Sequence, residues 1–365
     1  MNLPQFFVLV AGLSLTGTAI AQSNIEELIA QTGVEEGSVA LRELPGWRKP
    51  QKIIVRDVGL PRSEIERAIP GVEVVLAVSE SQAIDSARGA DAIIGWCSEP
   101  LLRASDNIAW VQILSAGAER CVTAGPIADG SMVLTNMQKM SSPVLAEHAI
   151  TLTLSLARQL PYFAKQMTTG QWRKQSLATD RMQSIAGKTL LVVGLGGIGM
   201  EVAKRADALD MRVIGTRRSS REGPAYIDYV GLSDELLKLA GEADFIVVTL
   251  PLTPDTRGLL DREFFNATKR GAKLVNVGRG PVVVTDDLLD ALRSGQISGA
   301  ALDVTDPEPL PPNHPLWQME NVLITPHVAA RGGSLARHMI LLKENLRRFA
   351  AGDALLNVVD PRLGY

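Results

Sequence analysis

A cation, a carboxylate and an imidazole follow three apolar runs toward the C-terminal end of the chain. Arg279 stands in "LVNVGRG", Glu308 in "ALDVTDPEPLP" and His327 in "VLITPHVAA". A guanidinium can bind a carboxylate through two parallel hydrogen bonds and polarise a carbonyl oxygen, and a protonated imidazole can donate a proton. A carboxylate beside the imidazole favours the protonated form and orients the ring. We therefore predict that Arg279, Glu308 and His327 catalyse the reduction of a keto acid.

A glycine-rich stretch, "GLGGIG", lies between the apolar run "TLLVV" and a helical pattern. In such a turn Gly194 allows the tight bend, Gly196 lets the backbone approach a pyrophosphate, and Gly199 lets the helix pack closely on the strand. The N-terminus of the helix favours the negative charge of the pyrophosphate. The stretch therefore predicts a dinucleotide site, to which Gly197 and Ile198 also contribute.

The next apolar run ends in "VIGTRRSS", where NAD-binding proteins usually carry an acidic residue for the adenosine ribose. This chain has Thr216, Arg217, Arg218 and Ser219 there. Because guanidinium groups bind phosphate through paired hydrogen bonds, the arginines favour the 2′-phosphate of NADP(H). The alternative interpretation is that both arginines are solvated loop charges, which leaves NAD(H) as the second choice of coenzyme.

Short Val- and Ile-rich runs alternate with amphipathic helical segments from Gln51 onward. This alternation predicts βαβ units with parallel sheets, and hence an α/β protein with two Rossmann-like or flavodoxin-like domains. We predict a substrate (catalytic) domain over 51–145 plus 335–365, with an NAD(P)-binding Rossmann domain over 146–334 inserted into it. The catalytic candidates fall at the carboxyl ends of predicted strands, and we expect the active cleft between the domains.

The composition is that of a globular protein without a strong charge. Of 365 residues, 46% are hydrophobic and 21% charged, and the formal net charge is −3. This balance gives no electrostatic reason to expect nucleic acid as a partner, and we predict no metal site. The spacing of the two cysteines, Cys97 and Cys121, does not decide whether they pair, and two unpaired thiols are the simpler interpretation.

The N-terminus is an apolar stretch, Phe6–Ala21, that ends in Ala-Ile-Ala. An apolar core followed by small residues at this spacing is typical of a secretory signal peptide, so we predict residues 1–21 as a signal peptide or apolar leader. The stretch is shorter than the roughly 20 residues that span a membrane, and we expect no stable span after its removal. Residues 22–50 are predicted to form a linker with one short helix.

The leader leaves the compartment open. A signal peptide usually begins with Lys or Arg, but in this chain neither residue occurs before Arg42. A membrane anchor and an uncleaved cytoplasmic extension are therefore alternatives. The leader favours an exported or periplasmic protein, with the cytoplasm as the alternative compartment.

Several motifs together resemble those of the D-isomer-specific 2-hydroxyacid dehydrogenases, a family that includes glyoxylate/hydroxypyruvate reductases and phosphoglycerate dehydrogenases. The similarity runs from about Lys52 to the end and includes "GKTLLVVGLGGIG", "TLPLTPDTRGLL", "LVNVGRGPVV", "ALDVTDPEPLPPNHPLW" and "NVLITPHVA". It implies an enzyme that transfers a hydride between NAD(P)H and a small 2-keto or D-2-hydroxy acid. By the same resemblance, Arg279, Glu308 and His327 form the catalytic triad.

The resemblance also implies roles for binding residues. Asp303 would contact the nicotinamide carboxamide, and five further positions would line the cofactor: Thr249, Leu250, Pro251, Thr256 and Val277. Backbone N–H groups of one loop would hold the substrate carboxylate; the loop consists of Ser115, Ala116, Gly117 and Ala118. The usual homodimer of the family would form through the long helix that begins near Pro143, where His148 is predicted to be a helix-packing or interface residue.

The tryptophans have less specific predictions. Trp96 follows a strand end and is predicted to touch the substrate. The others considered are predicted to lie in the core or the cleft wall: Trp110, Trp172 and Trp317.

The chain departs from the family pattern in two ways. Ala330 stands where glycine is usual after the catalytic histidine, and the apparent leader is unusual for a mostly cytosolic family. The second candidate function is a non-catalytic NAD(P)-sensing binding protein of the same fold, against which the three catalytic residue types argue. Formate dehydrogenases resemble the same fold but pair their histidine with glutamine, so Glu308 disfavours that activity.

Overall fold

A computed structural model of the chain describes residues 24–44, 47–170, 172, 174–176, 179 and 181–364. The predicted leader, residues 1–21, lies outside the described residues. The chain divides into two units. Unit 1 comprises the described residues up to Met140 together with those from Ser334 onward, and unit 2 comprises Ser141–Gly333.

Strands and helices alternate along the chain. The strands are β1 Lys52–Arg56, β2 Glu73–Ala77, β3 Ala92–Ile94, β4 Trp110–Gln112, β5 Val133–Thr135, β6 Thr189–Val193, β7 Arg212–Thr216, β8 Tyr229–Gly231, β9 Phe245–Val248, β10 Ala272–Asn276, β11 Ile297–Leu302 and β12 Val322–Ile324. The helices are α1 24–32, α2 Arg62–Ala68, α3 Glu80–Ser86, α4 Glu99–Leu102, α5 Gly125–Ala128, α6 Ser142–Ala157, α7 Leu160–Thr169, α8 Gly197–Asp207, α9 Leu236–Ala240, α10 Arg262–Ala267, α11 Thr285–Ser294 and α12 Leu335–Ala351. Short 3₁₀ helices lie at Leu41–Glu43, Ser233–Glu235, Gly280–Val282 and Pro315–Gln318.

Each unit has its own parallel sheet. The strand order is β2-β1-β3-β4-β5 in unit 1 and β12-β11-β10-β9-β6-β7-β8 in unit 2. Every paired neighbour in both sheets runs parallel. These two sheets confirm the predicted α/β fold. Unit 2, which corresponds to the predicted NAD(P)-binding domain, is inserted between the two segments of unit 1.

The sheet of unit 2 is covered on both faces. Along β6, Leu191 and Val193 pack in one apolar cluster, whereas Leu190 and Val192 pack in a second cluster on the opposite face. Successive side chains of a strand point to opposite faces, so a strand buried on both sides is apolar throughout. This burial explains why "TLLVV" reads as a continuous apolar run.

The structure contains two strands that the sequence does not predict. These are β5 and β8: each has three residues, too few to show periodicity, and each lies at a sheet edge. The long helix from Pro143, which the sequence predicts to be kinked or to end near Pro161, divides into α6 and α7 at Gln159, whose φ of +56° is left-handed. Pro161 lies in the first turn of α7, where its missing N–H does not interrupt a helical hydrogen bond.

The prediction of a linker over 22–50 requires correction for its described part. Ile25 and Leu28 of α1 are 4% and 3% exposed, and Leu41 is 1% exposed within the same apolar core as β1. The Gly37 N–H donates to Leu355 O over 2.8 Å. The segment is therefore part of unit 1. Because exposed acidic residues lie between its few buried apolar residues, the sequence shows no clear apolar face.

The cysteines and tryptophans give further corrections. Cys97 and Cys121 form a disulfide, with Cα atoms 5.4 Å apart, so the interpretation as two unpaired thiols is wrong. Trp110 is fully buried, as predicted, and its Nε1–H donates to Thr135 Oγ1 over 2.8 Å. Trp172 is not in the core, since 97% of it is exposed, and Trp317 is 42% exposed.

Within the part of the chain that the structure describes, none of the helices has both the length and the apolar composition of a membrane span.

Candidate active site

The candidate residues of unit 2 follow the carboxyl ends of its strands. Parallel strands present these ends at one edge of the sheet, where doubly wound proteins bind ligands. Gly194, Val277 and Asp303 directly follow β6, β10 and β11 respectively. Thr249 follows β9 and Thr216 ends β7. The topology therefore brings distant parts of the sequence to one rim.

The glycine turn has the geometry that a dinucleotide pyrophosphate needs. Gly194 has φ +102°, a conformation that favours glycine. A Cβ at Gly199 would lie 2.1 Å from Gly194 O, so only glycine lets α8 pack this close to the turn. A Cβ at Gly196, the residue before α8, would meet no described atom within 4 Å. The open space beside Gly196 and the helix N-terminus, which begins with Gly197 and Ile198, fit a phosphate group.

Neighbouring loops hold this turn in place. Thr249 Oγ1 donates to Gly194 O over 2.6 Å, and a Cβ at Gly194 would lie 2.8 Å from Leu250 Cδ2. In the loop that follows, Thr256 Oγ1 donates to Pro251 O over 2.7 Å. The Val277 N–H donates to Val248 O over 3.1 Å. These residues, predicted to line the cofactor, are thus also the ones that shape the rim.

The loop after β7 places one arginine against the glycine turn. Arg217 Nε donates to Leu195 O over 3.2 Å, and its Nη1 donates to Glu222 O over 3.1 Å. Thr216 is 5% exposed, and its Oγ1 accepts the Gly194 N–H over 3.3 Å. The side chain of Thr216 therefore supports the turn, while Arg218 and Ser219 are exposed.

A polar cluster connects the loop after β7 to β8 and to the 3₁₀ helix that follows it. Tyr229 donates its hydroxyl to Glu235 Oε1 over 2.6 Å, and Arg221 pairs with the same carboxylate. The hydrogen bond from Tyr229, the N–H of Leu232 and the Arg221 guanidinium together lower the pKa of Glu235 to about 2. Glu235 is therefore ionised at neutral pH and fixes the far end of the loop that contains Arg217 and Arg218.

Glu308 and His327 form a hydrogen-bonded pair. His327 Nδ1 lies 2.7 Å from Glu308 Oε1, and the side chains are 51% and 42% exposed. An ionised carboxylate only accepts hydrogen bonds, so Nδ1 is the donor. This bond fixes the ring orientation and leaves Nε2 for a reaction partner. The peptide bonds Asp306–Pro307 and Glu308–Pro309 are both cis.

The turn that presents His327 is held by a buried carboxylate. His327 has φ +53°, a left-handed conformation that is uncommon for residues other than glycine. Asp303 is 2% exposed. Its carboxylate accepts the Val328 N–H and the Ala329 N–H, each over 3.0 Å, and the Thr325 hydroxyl over 2.6 Å. The Asp303 carboxylate thus binds the backbone after His327 and the side chain of Thr325 before it.

His148 is a contact of this turn that sequence reasoning did not assign to the site. It lies on α6, where Nε2 is 3.1 Å from Thr325 Oγ1 and 3.7 Å from Asp303 Oδ1. It was predicted to be a helix-packing or interface residue. The available signal was a titratable residue on a largely apolar helix, but the sequence does not show that α6 lies beside Thr325, which follows β12.

Arg279 lies just beyond the end of β10 and directly before the 3₁₀ helix Gly280–Val282. Its Nη1 donates to Gly278 O over 2.8 Å, and its own carbonyl accepts from Asn276 Nδ2 over 3.1 Å. The side chain is partly exposed. A guanidinium has five N–H donors in a planar arrangement, which suits binding of a carboxylate through two parallel hydrogen bonds.

The substrate candidates of unit 1 lie in two loops beyond β3 and β4. Trp96 is partly exposed, and the Arg56 guanidinium carbon is 5.5 Å from the centre of its ring. In the Ser115–Ala118 loop, Ser115 and Ala116 are exposed and Ala118 is 1% exposed. Ser115 Oγ donates to Gly117 O over 3.0 Å.

Comparison with known proteins assigns the chain to a family. Residues 150–329 match the D-isomer specific 2-hydroxyacid dehydrogenases, in their NAD binding domain. A glyoxylate reductase/hydroxypyruvate reductase of Mus musculus is 33% identical over 294 residues, which are 79% of this chain and 84% of that protein.

Solved structures agree with this match. A D-isomer specific 2-hydroxyacid dehydrogenase from Xanthobacter autotrophicus Py2, in complex with NADPH and MES, has a TM-score of 0.74 and 30% identity. The match covers 87% of this chain and 100% of that one. An NADPH-dependent glyoxylate/hydroxypyruvate reductase from Sinorhizobium meliloti, in complex with NADP and sulfate, has a TM-score of 0.72 and 29% identity, covering 86% and 100% of the two chains.

The chain therefore belongs to the D-isomer-specific 2-hydroxyacid dehydrogenase family, as the motifs predicted. It is an NAD(P)-dependent oxidoreductase that acts on the CH–OH group of 2-hydroxy acids or on the matching 2-keto group.

Gly196 and Gly199 of the glycine turn should respond differently to a methyl group. Gly199→Ala should lower the free energy of unfolding of unit 2 by about 1–3 kcal/mol, because the methyl group would overlap Gly194 O. Gly196→Ala should change that free energy by less than about 0.5 kcal/mol, since the space there is open. It should nevertheless raise the Kd for NAD(P)H about tenfold or more, by keeping phosphate oxygens from the amides.

Urea unfolding and fluorescence titration with NAD(P)H measure the two quantities. The pair of variants acts as its own control, because the same substitution is made three residues apart. Tight coenzyme binding by Gly196→Ala would contradict the assignment of this space to the pyrophosphate.

Proposed function

We propose that this protein reduces a small 2-keto acid of the glyoxylate or hydroxypyruvate type to its D-2-hydroxy acid, with NADPH as the preferred coenzyme. The observation that carries the proposal is the 2.7 Å pair of His327 and Glu308 on the rim that also holds the glycine turn. The names of the Mus musculus and Sinorhizobium meliloti relatives support this substrate class.

The chemistry divides between the coenzyme and the side chains. When bound, the coenzyme supplies the hydride for the keto carbon. Arg279 binds the substrate carboxylate and stabilises negative charge on the keto oxygen. His327 donates a proton to that oxygen from Nε2, and Glu308 holds the ring through Nδ1 and stabilises its charged form. The proton and the hydride together complete the reduction.

The roles of the remaining residues belong to the same proposal. The N–H groups of Ser115–Ala118 bind the substrate carboxylate, and Trp96 borders the substrate. Asp303 contacts the nicotinamide carboxamide in addition to holding the His327 turn. The exposure of Ser115 and Ala116 supports a role in binding.

Replacement of the proton donor should remove turnover and spare coenzyme binding. His327→Ala should lower kcat for keto-acid reduction about 10²- to 10⁴-fold, because the keto oxygen loses its general acid. The Kd for NADPH should change by less than about twofold, since the imidazole contributes only to the chemical step. Initial rates with a panel of 2-keto acids and a fluorescence titration with NADPH give both values.

His338→Ala is the matched control, because His338 lies on α12 in the other unit. It should keep full activity. Full turnover by His327→Ala would rule out His327 as the acid.

The proposed preference for NADPH depends on the loop after β7. Arg217 is anchored beside the glycine turn, and the exposed Arg218 and Ser219 follow it. Two arginines at positions where NAD-binding proteins usually carry an acidic residue suit a 2′-phosphate better than a ribose hydroxyl. The NADPH and NADP in the two bacterial structures support the same choice.

Removal of both arginines should therefore change coenzyme selectivity. The double variant Arg217→Ala, Arg218→Ala should raise the Kd for NADPH about 10- to 100-fold. This increase corresponds to the loss of one or two charged hydrogen bonds to the phosphate. The Kd for NADH should rise less than about threefold, from the lost contact of Arg217 with Leu195 O.

Arg218→Ala alone serves as the internal control, because it leaves that contact intact. Parallel titrations with NADPH and NADH measure the ratio. Equal losses for both coenzymes would refute the phosphate assignment.

We also propose that the protein is exported. Two features support this: the apolar stretch Phe6–Ala21 with its Ala-Ile-Ala ending, and the Cys97–Cys121 disulfide, a bond that persists in oxidising compartments. Mass analysis of the protein purified from its native host is expected to show a mature chain that begins at Gln22. A chain that still begins at residue 1 or 2 would contradict removal of the leader.

The homodimer of the family is proposed for this chain as well. Exposed apolar side chains around α7 support it: Leu160, Met167 and Trp172 are 51%, 82% and 97% exposed. Large apolar groups in such a cluster indicate a surface that a partner covers. Sedimentation velocity is expected to give twice the monomer mass, and a monomer at micromolar concentration would contradict the proposal.

A further inference from the structure

A disulfide joins the two loops of unit 1 that we assign to the substrate. Cys97 directly follows Trp96 in the loop after β3, and Cys121 follows the Ser115–Ala118 loop after β4. Because β3 and β4 are parallel neighbours, both loops leave the same edge of the sheet. The bond therefore connects adjacent loops of the same sheet edge.

Hydrogen bonds transmit this restraint to the Ser115–Ala118 loop. The Cys121 N–H donates to Ala118 O over 2.8 Å, and both residues are buried, at 5% and 1% exposed. On the other side of the loop, Asn136 Nδ2 donates to Ala116 O over 2.8 Å. The loop is thus fixed at one end by the segment after β5 and at the other by the disulfide.

Restraint matters for a loop that binds an anion through its backbone. Successive N–H groups make an anion site only while their dihedral angles point them at one place. A loop that must become ordered on binding loses part of its affinity to that ordering. Ser115 and Ala116 are exposed, so little packing of their own side chains holds their conformation.

We infer that the Cys97–Cys121 disulfide is a positioning element for the substrate. It holds the Ser115–Ala118 loop in its binding conformation, and the oxidised enzyme therefore binds the keto acid more tightly than the reduced enzyme. This inference rests on the proposed function, in which that loop binds the substrate carboxylate.

The chain offers a clean test, because its two cysteines are the two that form the bond. A phosphine reductant therefore has one disulfide to act on. Four preparations are compared: the wild-type protein and the Cys97→Ser, Cys121→Ser double variant, each with and without reductant. The double variant in reductant is the matched control for effects of the reagent itself.

Loss of the bond should raise the KM for glyoxylate about three- to tenfold, in the reduced wild type and in both preparations of the variant. The KM for NADPH and the kcat should change by less than about twofold, since the bond lies outside the coenzyme unit. Reoxidation of the wild type should restore the original KM. If the double variant does not fold, the reduced and reoxidised wild type give the same comparison.

Hydrogen–deuterium exchange provides a readout that does not need turnover. Amides 115–121 should exchange faster after reduction, whereas amides of β6 should not change. An equal KM for glyoxylate in all four preparations would overturn the inference, as would a parallel change in kcat and in the KM for NADPH. A wild type that reduces no keto acid refutes the proposed function instead, and unchanged exchange of 115–121 refutes the restraint itself.

Discussion

The pair of His327 and Glu308, which we propose to be catalytic, depends on the buried carboxylate of Asp303. Three donors bind it: the N–H groups of Val328 and Ala329 and the Thr325 hydroxyl. Hydrogen bonds to a charged group contribute about 1.5–3 kcal/mol each, whereas a left-handed residue such as His327 costs about 1–3 kcal/mol. The three bonds therefore outweigh the strain, and the turn presents the imidazole to Glu308 in one orientation. Without this anchor, the pair of His327 and Glu308 would be an exposed contact between two loops.

One edge of the sheet explains why so many of the candidate residues lie in unit 2. Three segments follow parallel strands of unit 2: the glycine turn, the loop with Arg217 and Arg218, and the His327 turn. Hydrogen bonds connect these strand ends to neighbouring segments of the same rim. Burial of β6 on both faces fixes the strand end from which the glycine turn leaves. The proposed NADPH preference and the proposed export constrain each other, because an exported enzyme needs a hydride donor in its compartment.

Local motifs made the centre of the site predictable. The spacing of Gly194, Gly196 and Gly199 between a strand and a helix is typical of a turn whose backbone approaches a phosphate and whose helix packs closely on the strand. The structure agrees with this pattern, because the space beside Gly196 is open and the space beside Gly199 is filled. Arg279, Glu308 and His327 were identified because each follows an apolar run. These signals come from residues that are close together in the sequence, so they can be recognised in one sequence without its structure.

Long-range contacts were not predictable in the same way. The approach of His148 to Thr325 and the pairing of Cys97 with Cys121 depend on how distant segments pack. Strands β5 and β8 are too short for a pattern, and α1 has a narrow apolar face among acidic residues. In each case the information lies in tertiary packing rather than in local periodicity.

The most direct test of the account is the protonation of the His327 ring. ¹⁵N NMR of histidine-labelled protein, assigned with the His327→Ala spectrum, distinguishes the two ring nitrogens. We predict that neutral His327 carries its proton on Nδ1, bound to Glu308, and that Nε2 gains and loses the second proton. A neutral ring protonated on Nε2, with Nδ1 bare, would contradict it.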